Sequence, residues 1–174
     1  LRSAGEIIAP KTVYFGGGTP SLLSPTLLSH LMKGLAEHFD LGNVLEWTLE
    51  ANPATFDLEK AKLMRELGAN RISLGIQSFQ EETLKTLGRD HSPADAIAAY
   101  EILRQAGFEN ISIDLMFSIP GQTTSLWQAD LEQAVTAFVN ANPGTRKHIY
   151  CTYTAMLKTR AVLGRITEVR DAGV

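Results

Sequence analysis

Residues 71–77 read Arg-Ile-Ser-Leu-Gly-Ile-Gln, and this stretch decides the fold class. Ile72, Leu74 and Ile76 alternate with residues that are polar or small. A period of two is typical of a β-strand, in which successive side chains point to opposite faces. The pattern therefore predicts a strand over residues 71–76 with one apolar face, which meets a layer of helices, and one face that is free for polar contacts.

Similar runs on both sides of this strand extend the pattern. Strands are also predicted over residues 12–15, 46–50, 111–115 and, more weakly, 148–153. Helical patterns separate them, and three have a capping residue at their start: Ser24 before Pro25, Asp57, and Ser92 before Pro93. Strand and helix in alternation predict an α/β fold with a parallel sheet and crossover helices, either a barrel or an open sheet.

The composition excludes several classes of protein. The 174 residues carry a formal net charge of −3, so there is no basic surface of the kind that binds nucleic acid. No apolar run approaches the roughly 18 residues of a membrane span, and no signal-peptide pattern is visible. The one cysteine, Cys151, excludes an internal disulfide and favours a reducing, cytoplasmic location.

Polar residues stand where three predicted strands end. Glu50, Gln77 and Asp114 all oppose the apolar face of their strand, and Arg89 follows in a loop. The carboxyl ends of parallel strands meet at one rim, which is where such folds bind ligands. Each acid alone could equally be a helix cap or a partner for a loop. Three polar strand ends in register, with a cation nearby, favour a ligand site.

A glycine-rich loop follows the first strand, with the sequence Gly16-Gly17-Gly18-Thr19-Pro20-Ser21. Glycines let the backbone approach a ligand closely, although most such loops are only turns. The loop lacks the Gly-Lys-Ser/Thr of a P-loop and the spacing of the dinucleotide fingerprint. The four histidines form no metal-ligand pair, and Trp47 and Trp127 are interpreted as packing residues.

Five motifs give the chain a family resemblance. VYFGGGTPSLL, LEANP, RISLGIQSF, LGRDHS and IDLMFSIPGQT stand in the order and spacing of radical S-adenosylmethionine (SAM) proteins. They resemble the branch with HemW-type heme chaperones and oxygen-independent coproporphyrinogen III oxidases. EANP and LGRDH look closer to the HemW type. The resemblance covers about residues 13–143 and implies a partial parallel β/α barrel of the radical SAM type, lacking its first strand.

The resemblance also implies roles for individual residues toward SAM. The backbone of Gly17, Gly18 and Thr19 would hold the methionyl ammonium, and Glu50 would contact the same end or the ribose. Gln77 and Asp114 would bind the ribose side. Arg89 would pair with the methionyl carboxylate. No residue is assigned a catalytic or a metal-binding role.

The chain departs from the family in its cysteines. Family members hold a 4Fe–4S cluster with a CxxxCxxC loop after the first barrel strand, and that loop is not found in this sequence. One thiolate cannot hold such a cluster, so we expect this chain to assemble none and to bind SAM weakly. The heme-binding C-terminal region of the HemW type is also not found.

The last residues look unlike the rest. The sequence predicts a partial barrel domain over residues 1–154 and an atypical tail over residues 155–174, which contains Lys158, Arg160, Arg165 and Arg170. A reading-frame change near Tyr153 and genuine divergence both fit this tail.

Three functions are compatible with these observations. The first is a fragment of a HemW-like protein that binds SAM and takes part in heme trafficking or insertion. The second is a fragment of a coproporphyrinogen III oxidase of heme biosynthesis. The third is an inactive truncated product. Heme or a porphyrin is the partner that the first two imply for the complete protein.

Overall fold

The computed structural model describes residues 7–139 of the chain. This part divides into two compact units, the first made of residues 7–77 and 90–115 and the second of residues 78–89 and 116–139. The predicted strand over residues 148–153 and the predicted tail lie outside the described residues. The boundary at residue 154 therefore stays a prediction.

The first unit contains a four-stranded parallel sheet. Its strands are β1 (Thr12–Phe15), β2 (Glu46–Ala51), β3 (Arg71–Gln77) and β4 (Asn110–Leu115). They pair in sequence order, β1-β2-β3-β4, and every pair is parallel. The α/β class, the parallel pairing and the four strand positions are therefore confirmed, with ends that shift by one residue.

Helices cross over between these strands. They are α1 (Pro25–Ala36), α2 (Leu58–Glu66) and α4 (Pro93–Gln105), and a 3-10 turn (Pro20–Leu22) precedes α1. The three predicted caps are present, because Ser24, Asp57 and Ser92 each accept a hydrogen bond from a backbone N–H of the first turn. Asp95 completes a capping box with Ser92, which satisfies two otherwise unpaired donors.

The apolar face of the sheet forms the core of the first unit. Ile72, Leu74 and Ile76 are fully buried. The rings of Phe15 and Trp47 meet edge to face at 5.4 Å between centroids. A small cavity is lined by residues of β1, β2, α1, α2 and the turn after α2: Phe15, Leu28, Met32, Trp47, Leu49, Met64, Leu67 and Ala69. The apolar face therefore packs against helices, as predicted.

The apolar stripe of α1 is wider than the surface that covers it. Leu28 is 1% exposed, whereas its neighbour Leu27 is 54% exposed and Leu31 is 40% exposed. All three fit the helical period, but helical period alone does not decide which side of a stripe is packed.

The second unit contains α3 (Glu81–Thr86) and α5 (Thr124–Ala134), which a π-helical turn (Val135–Val139) follows. Its centre is a buried carboxylate. Asp130 accepts hydrogen bonds from the Ser78 hydroxyl and from Phe79 N, the latter at 2.7 Å. Burial raises the pKa of Asp130 above its usual value, and these hydrogen bonds oppose that rise. The carboxylate thus ties α5 to the segment that enters α3.

Trp127 is 9% exposed and packs in this second unit at 5.9 Å from the Phe117 ring. Its interpretation as a packing residue is confirmed, as is that of Trp47 at 3% exposure. Within residues 7–139, no helix has both the length and the apolar character that crossing a membrane requires.

Candidate functional site

The second face of the sheet, here called the polar face, carries the candidate site. Register pairs Tyr14 with Thr48 and pairs Glu50 with Ser73. Ser73 in turn pairs with Ser112, and Gly75 pairs with Asp114. Residues paired in this way share a face of the sheet, so Tyr14, Glu50 and Asp114 lie on one side.

The register also corrects one expectation. Glu50 and Asp114 are not level, because Glu50 lies beside Ser73 and Asp114 lies beside Gly75, two residues further along β3. Gln77 comes two residues later again, at a bulge where it pairs with Leu115. The three predicted side chains therefore rise in steps toward the carboxyl end of the sheet, instead of standing in register.

Glu50 is held by hydrogen bonds at both carboxylate oxygens. The Tyr14 hydroxyl donates to Oε1, and the backbone N–H of Gly17 donates to Oε2 at 3.2 Å. This acid therefore anchors the start of the glycine-rich loop. An ammonium only donates hydrogen bonds, so a ligand ammonium would use the acceptors here, namely loop carbonyls and the carboxylate itself.

The glycines of this loop meet two different requirements. A Cβ on Gly16 would overlap Cε1 of Tyr14 and lie 2.8 Å from Oε1 of Glu50. Gly17 and Gly18 instead adopt φ values of 82° and 139°, which side-chain-bearing residues rarely tolerate. A Cβ on either would meet nothing within 4 Å, so the loop backbone at both positions is open to approach.

Polar contacts fix the far side of the loop to the segment after β2. Asn52 Nδ2 donates to the Thr19 hydroxyl at 3.2 Å. The buried Ser21 hydroxyl accepts from Asn52 N and contacts Thr55 Oγ1 at 2.6 Å. Thr19 is thus positioned by its side chain as well as by the backbone.

Lys60 braces the same segment from α2. Its ammonium donates to the carbonyl oxygens of Ser21 and Thr55. Partial burial lowers the pKa of Lys60 from its usual value, and the charge of Asp57 opposes that change. The loop that follows β1 is therefore held by β2, by the turn after β2 and by α2.

Gln77 ends β3 in an unusual backbone conformation. Its φ is 69°, in the left-handed region that residues other than glycine rarely adopt. A Cβ on Gly75 would lie 2.8 Å from Gln77 Nε2 and 2.8 Å from Asn52 Oδ1, so both side chains reach over that glycine. His91 Nε2 lies 3.1 Å from the carbonyl oxygen of Ile76, the residue within the bulge.

Asp114 is exposed and contacts the neighbouring strand. The Ser73 hydroxyl donates to its Oδ2 at 2.7 Å. Glu50 and Asp114 both raise the pKa of Tyr14, the hydrogen bond to Glu50 having the largest effect. Arg71 at the start of β3 opposes that rise, and its Nη1 lies 3.6 Å from Oε1 of Glu46.

Arg89 belongs to the second unit, where it follows α3 and its backbone N–H donates to the carbonyl of Leu84 in that helix. The structure thus groups six of the seven predicted residues in the first unit, and the role of Arg89 toward a ligand stays a prediction. The ligand roles of the other six stay predictions too.

Sequence reasoning missed several residues that organise this region. Tyr14 and His91 are two of these residues, and the sequence patterns assign neither of them a role. Asn52 stands in the LEANP motif two residues after Glu50 and directly after β2, so its position after a strand could have indicated it. His30 in α1 and His38 just after it are exposed.

The residues present do not fit an iron–sulfur cluster. Among residues 7–139, no group of three or more histidine, cysteine, aspartate or glutamate side chains could hold a metal ion. The one cysteine, Cys151, lies outside the described residues, and a 4Fe–4S cluster requires several thiolates.

Comparison with known proteins gives a consistent result. The radical SAM superfamily model matches residues 1–134. The heme chaperone HemW of Lactococcus lactis is 44% identical over 128 residues, which cover 74% of this chain and 34% of that protein. HemW of Escherichia coli is 41% identical over 72% of this chain and 33% of its own length. This chain thus spans about a third of the length of these relatives.

Solved structures show the same fold. Coproporphyrinogen III oxidase (HemN) from Escherichia coli, a radical SAM enzyme, has a TM-score of 0.69 and 29% identity over 78% of this chain and 30% of that one. The archaeal Elp3 from Methanocaldococcus infernus has a TM-score of 0.60 and 22% identity, over 71% of this chain and 33% of that one. At this identity the similarity concerns the fold alone. The predicted fold class, part of a parallel barrel of the radical SAM type, is confirmed.

SAM and a 4Fe–4S cluster are the cofactors that radical SAM proteins use in general. The family model covers the strands, the glycine-rich loop and the polar face described above. The chain therefore belongs to the radical SAM superfamily.

Proposed function

We propose that this chain is the SAM-contacting part of a HemW-like protein that takes part in heme trafficking or insertion. The observation that carries the SAM part is the carboxylate of Glu50 beside an open glycine-rich loop. The identity of 41–44% with heme chaperones named HemW supports the heme part. A cytoplasmic location belongs to the same proposal.

The charge of the polar face suits a cationic ligand. Glu50 and Asp114 are carboxylates near its carboxyl end, while Arg71 lies at the opposite end near Glu46. SAM carries an ammonium and a sulfonium, so a face with two carboxylates offers it favourable electrostatics and charge-assisted hydrogen bonds.

Individual residues then have distinct tasks in this proposal. Glu50 and the carbonyls of Gly17, Gly18 and Thr19 accept the methionyl ammonium. Asp114 and Gln77 bind the ribose hydroxyls. Arg89 pairs with the methionyl carboxylate. Each of these tasks is one of binding or orientation, and the residues of this chain supply no electron for cleavage of SAM.

A coproporphyrinogen III oxidase is the second candidate. It is favoured by the structural similarity to that enzyme, at 29% identity and a TM-score of 0.69. The identity to the HemW proteins is higher, at 41–44%, so the chaperone comes first.

Equilibrium dialysis with radiolabelled SAM tests the first half of the proposal. We expect weak but saturable binding by the full 174-residue chain. Substitution Glu50→Gln should weaken it about tenfold or more, since it removes a charge-assisted partner. The matched control is Glu37→Gln, at the exposed C-terminal end of α1. Equal binding by both variants would contradict the proposal, and so would a wild-type chain that folds cooperatively without binding SAM.

The second half requires a longer protein that includes this chain and the cysteine motif of the family. After anaerobic loading with iron and sulfide, heme titration followed by absorbance should show stoichiometric binding. Coproporphyrinogen should remain unoxidised in the same preparation. Oxidation of coproporphyrinogen without heme binding would favour the oxidase instead.

A further inference from the structure

Tyr14 is an exposed aromatic residue in the middle of the candidate site. It lies on β1, and 60% of its surface is exposed. Its hydroxyl nevertheless has a defined partner, Oε1 of Glu50. An exposed tyrosine that is held on a carboxylate of the polar face is positioned to meet whatever that carboxylate binds.

The hydrogen bonds of Glu50 limit how a ligand can approach it. A carboxylate has about four lone-pair positions, two on each oxygen. Tyr14 occupies one on Oε1 and Gly17 N occupies one on Oε2. Roughly one lone-pair position on each carboxylate oxygen therefore remains for a ligand. The Tyr14 hydroxyl donates its only proton to Glu50, so its own oxygen can still accept a hydrogen bond.

Close packing keeps these groups together. The absence of a side chain on Gly16 makes room for the Tyr14 ring and the Glu50 carboxyl, since a Cβ there would overlap Cε1 of the ring. Tyr14 lies on β1, Gly16 follows the end of that strand, and Glu50 lies on the neighbouring strand β2. A rotation of Glu50 would break the bond to Tyr14 as well as that to the loop.

We propose that Tyr14 is a specificity-determining residue for the ammonium group of the ligand. Its hydroxyl fixes the carboxylate of Glu50 in one orientation and adds a third acceptor oxygen beside it, so that an alkylammonium meets up to three acceptors that are already in place. Pre-organised acceptors bind a cation better than a mobile carboxylate does. This inference rests on the proposed SAM site and adds a residue to it.

Two nucleosides that differ in the amino-acid part isolate this contribution. S-adenosylhomocysteine carries the ammonium and the carboxylate, whereas 5′-methylthioadenosine has the same adenosine and thioether without either charged group. Titrations of the full chain are followed by calorimetry or by ligand-observed NMR. The test variant is Tyr14→Phe, and the control is Tyr100→Phe, which removes the same atom from helix α4.

We expect Tyr14→Phe to lower the affinity for S-adenosylhomocysteine about five- to tenfold. The affinity for 5′-methylthioadenosine should fall less than twofold. Tyr100→Phe should change neither. A second readout is the ¹³Cζ resonance of labelled Tyr14, which S-adenosylhomocysteine should shift and 5′-methylthioadenosine should leave in place.

Other outcomes would overturn the inference in distinguishable ways. If the wild type and Tyr14→Phe bind S-adenosylhomocysteine with equal affinity, the inference about Tyr14 is wrong, while the proposed SAM site is not contradicted. Equal losses for both nucleosides would show that the ring only supports the fold of the loop. Failure of the folded wild-type chain to bind either nucleoside would overturn the proposed function and this inference with it.

Discussion

The side chains of Ser73 and Asp114 meet diagonally across two parallel strands. The register places Asp114 beside Gly75, yet its Oδ2 accepts a hydrogen bond of 2.7 Å from the hydroxyl of Ser73. The missing side chain at Gly75 leaves the adjacent space to Gln77 and Asn52. One acid is thus held by a strand neighbour, while the other, Glu50, is held by a loop and a tyrosine.

Substitution of Gly16 tests the close packing around Glu50. We expect Gly16→Ala to lower the free energy of unfolding by about 1 kcal/mol, because a Cβ there displaces the ends of two side chains. The matched substitution is Gly34→Ala in α1, where a Cβ would meet nothing within 4 Å and should stabilise the helix by about 0.5–1 kcal/mol. Urea unfolding measures both. Stabilisation by Gly16→Ala would contradict the packing described here.

Two adjacent leucines of α1 test which part of its apolar stripe is packed. Leu28 is 1% exposed and Leu27 is 54% exposed. Leu28→Ala should cost about 2–5 kcal/mol of stability because it leaves a cavity in the core. Leu27→Ala should change stability by less than about 0.5 kcal/mol. The midpoints of urea denaturation compare them directly, and equal losses would mean that the stripe is covered on both sides.

The buried carboxylate of Asp130 should make stability depend on pH. Its folded-state pKa is raised above the usual 3.8, chiefly by burial. The folded state then binds the proton more tightly than the unfolded state. The stabilisation is therefore fully present below the unfolded pKa and is lost as pH rises through the folded pKa. The stability of the wild type relative to Asp130→Asn should decline as pH rises through this range.

Asp95 provides the control of opposite sign. Hydrogen bonds from Ser92 lower its pKa, so its stabilising effect is present above the unfolded pKa and is lost as pH falls through the lower, folded one. The stability of the wild type relative to Asp95→Asn should therefore rise with pH. Free energies of unfolding measured between pH 3 and 7 decide the matter. Parallel curves for wild type and Asp130→Asn would show that Asp130 does not titrate in this range.

Much of the fold follows from local sequence patterns. Alternation in RISLGIQ identifies a strand and its two faces, and Ser24, Asp57 and Ser92 mark helix starts through their side-chain acceptors. These patterns depend only on neighbouring residues, and the folded chain contains the strand and the helix caps that they predict. They also sufficed to put Glu50 and Asp114 on one face of the sheet.

What the sequence did not reveal depends on contacts between distant residues. The stagger of Glu50 and Asp114 is set by strand register, which depends on how the crossover helices pack. Asp130 and Ser78 are 52 residues apart, and no local period connects them. The exposure of Leu27 likewise depends on which neighbouring elements pack against α1, and the helical period carries no information about them.

The central claim is that SAM binds on the polar face of the sheet. The most direct test is to record the amide and side-chain NMR resonances of the isotopically labelled chain during a titration with SAM. The account predicts saturable shifts at Gly17, Gly18, Thr19, Glu50, Gln77 and Asp114, together with Arg89, and little change in α2. A folded chain whose resonances do not move at millimolar SAM, or whose shifts are confined to residues away from this face, would contradict it.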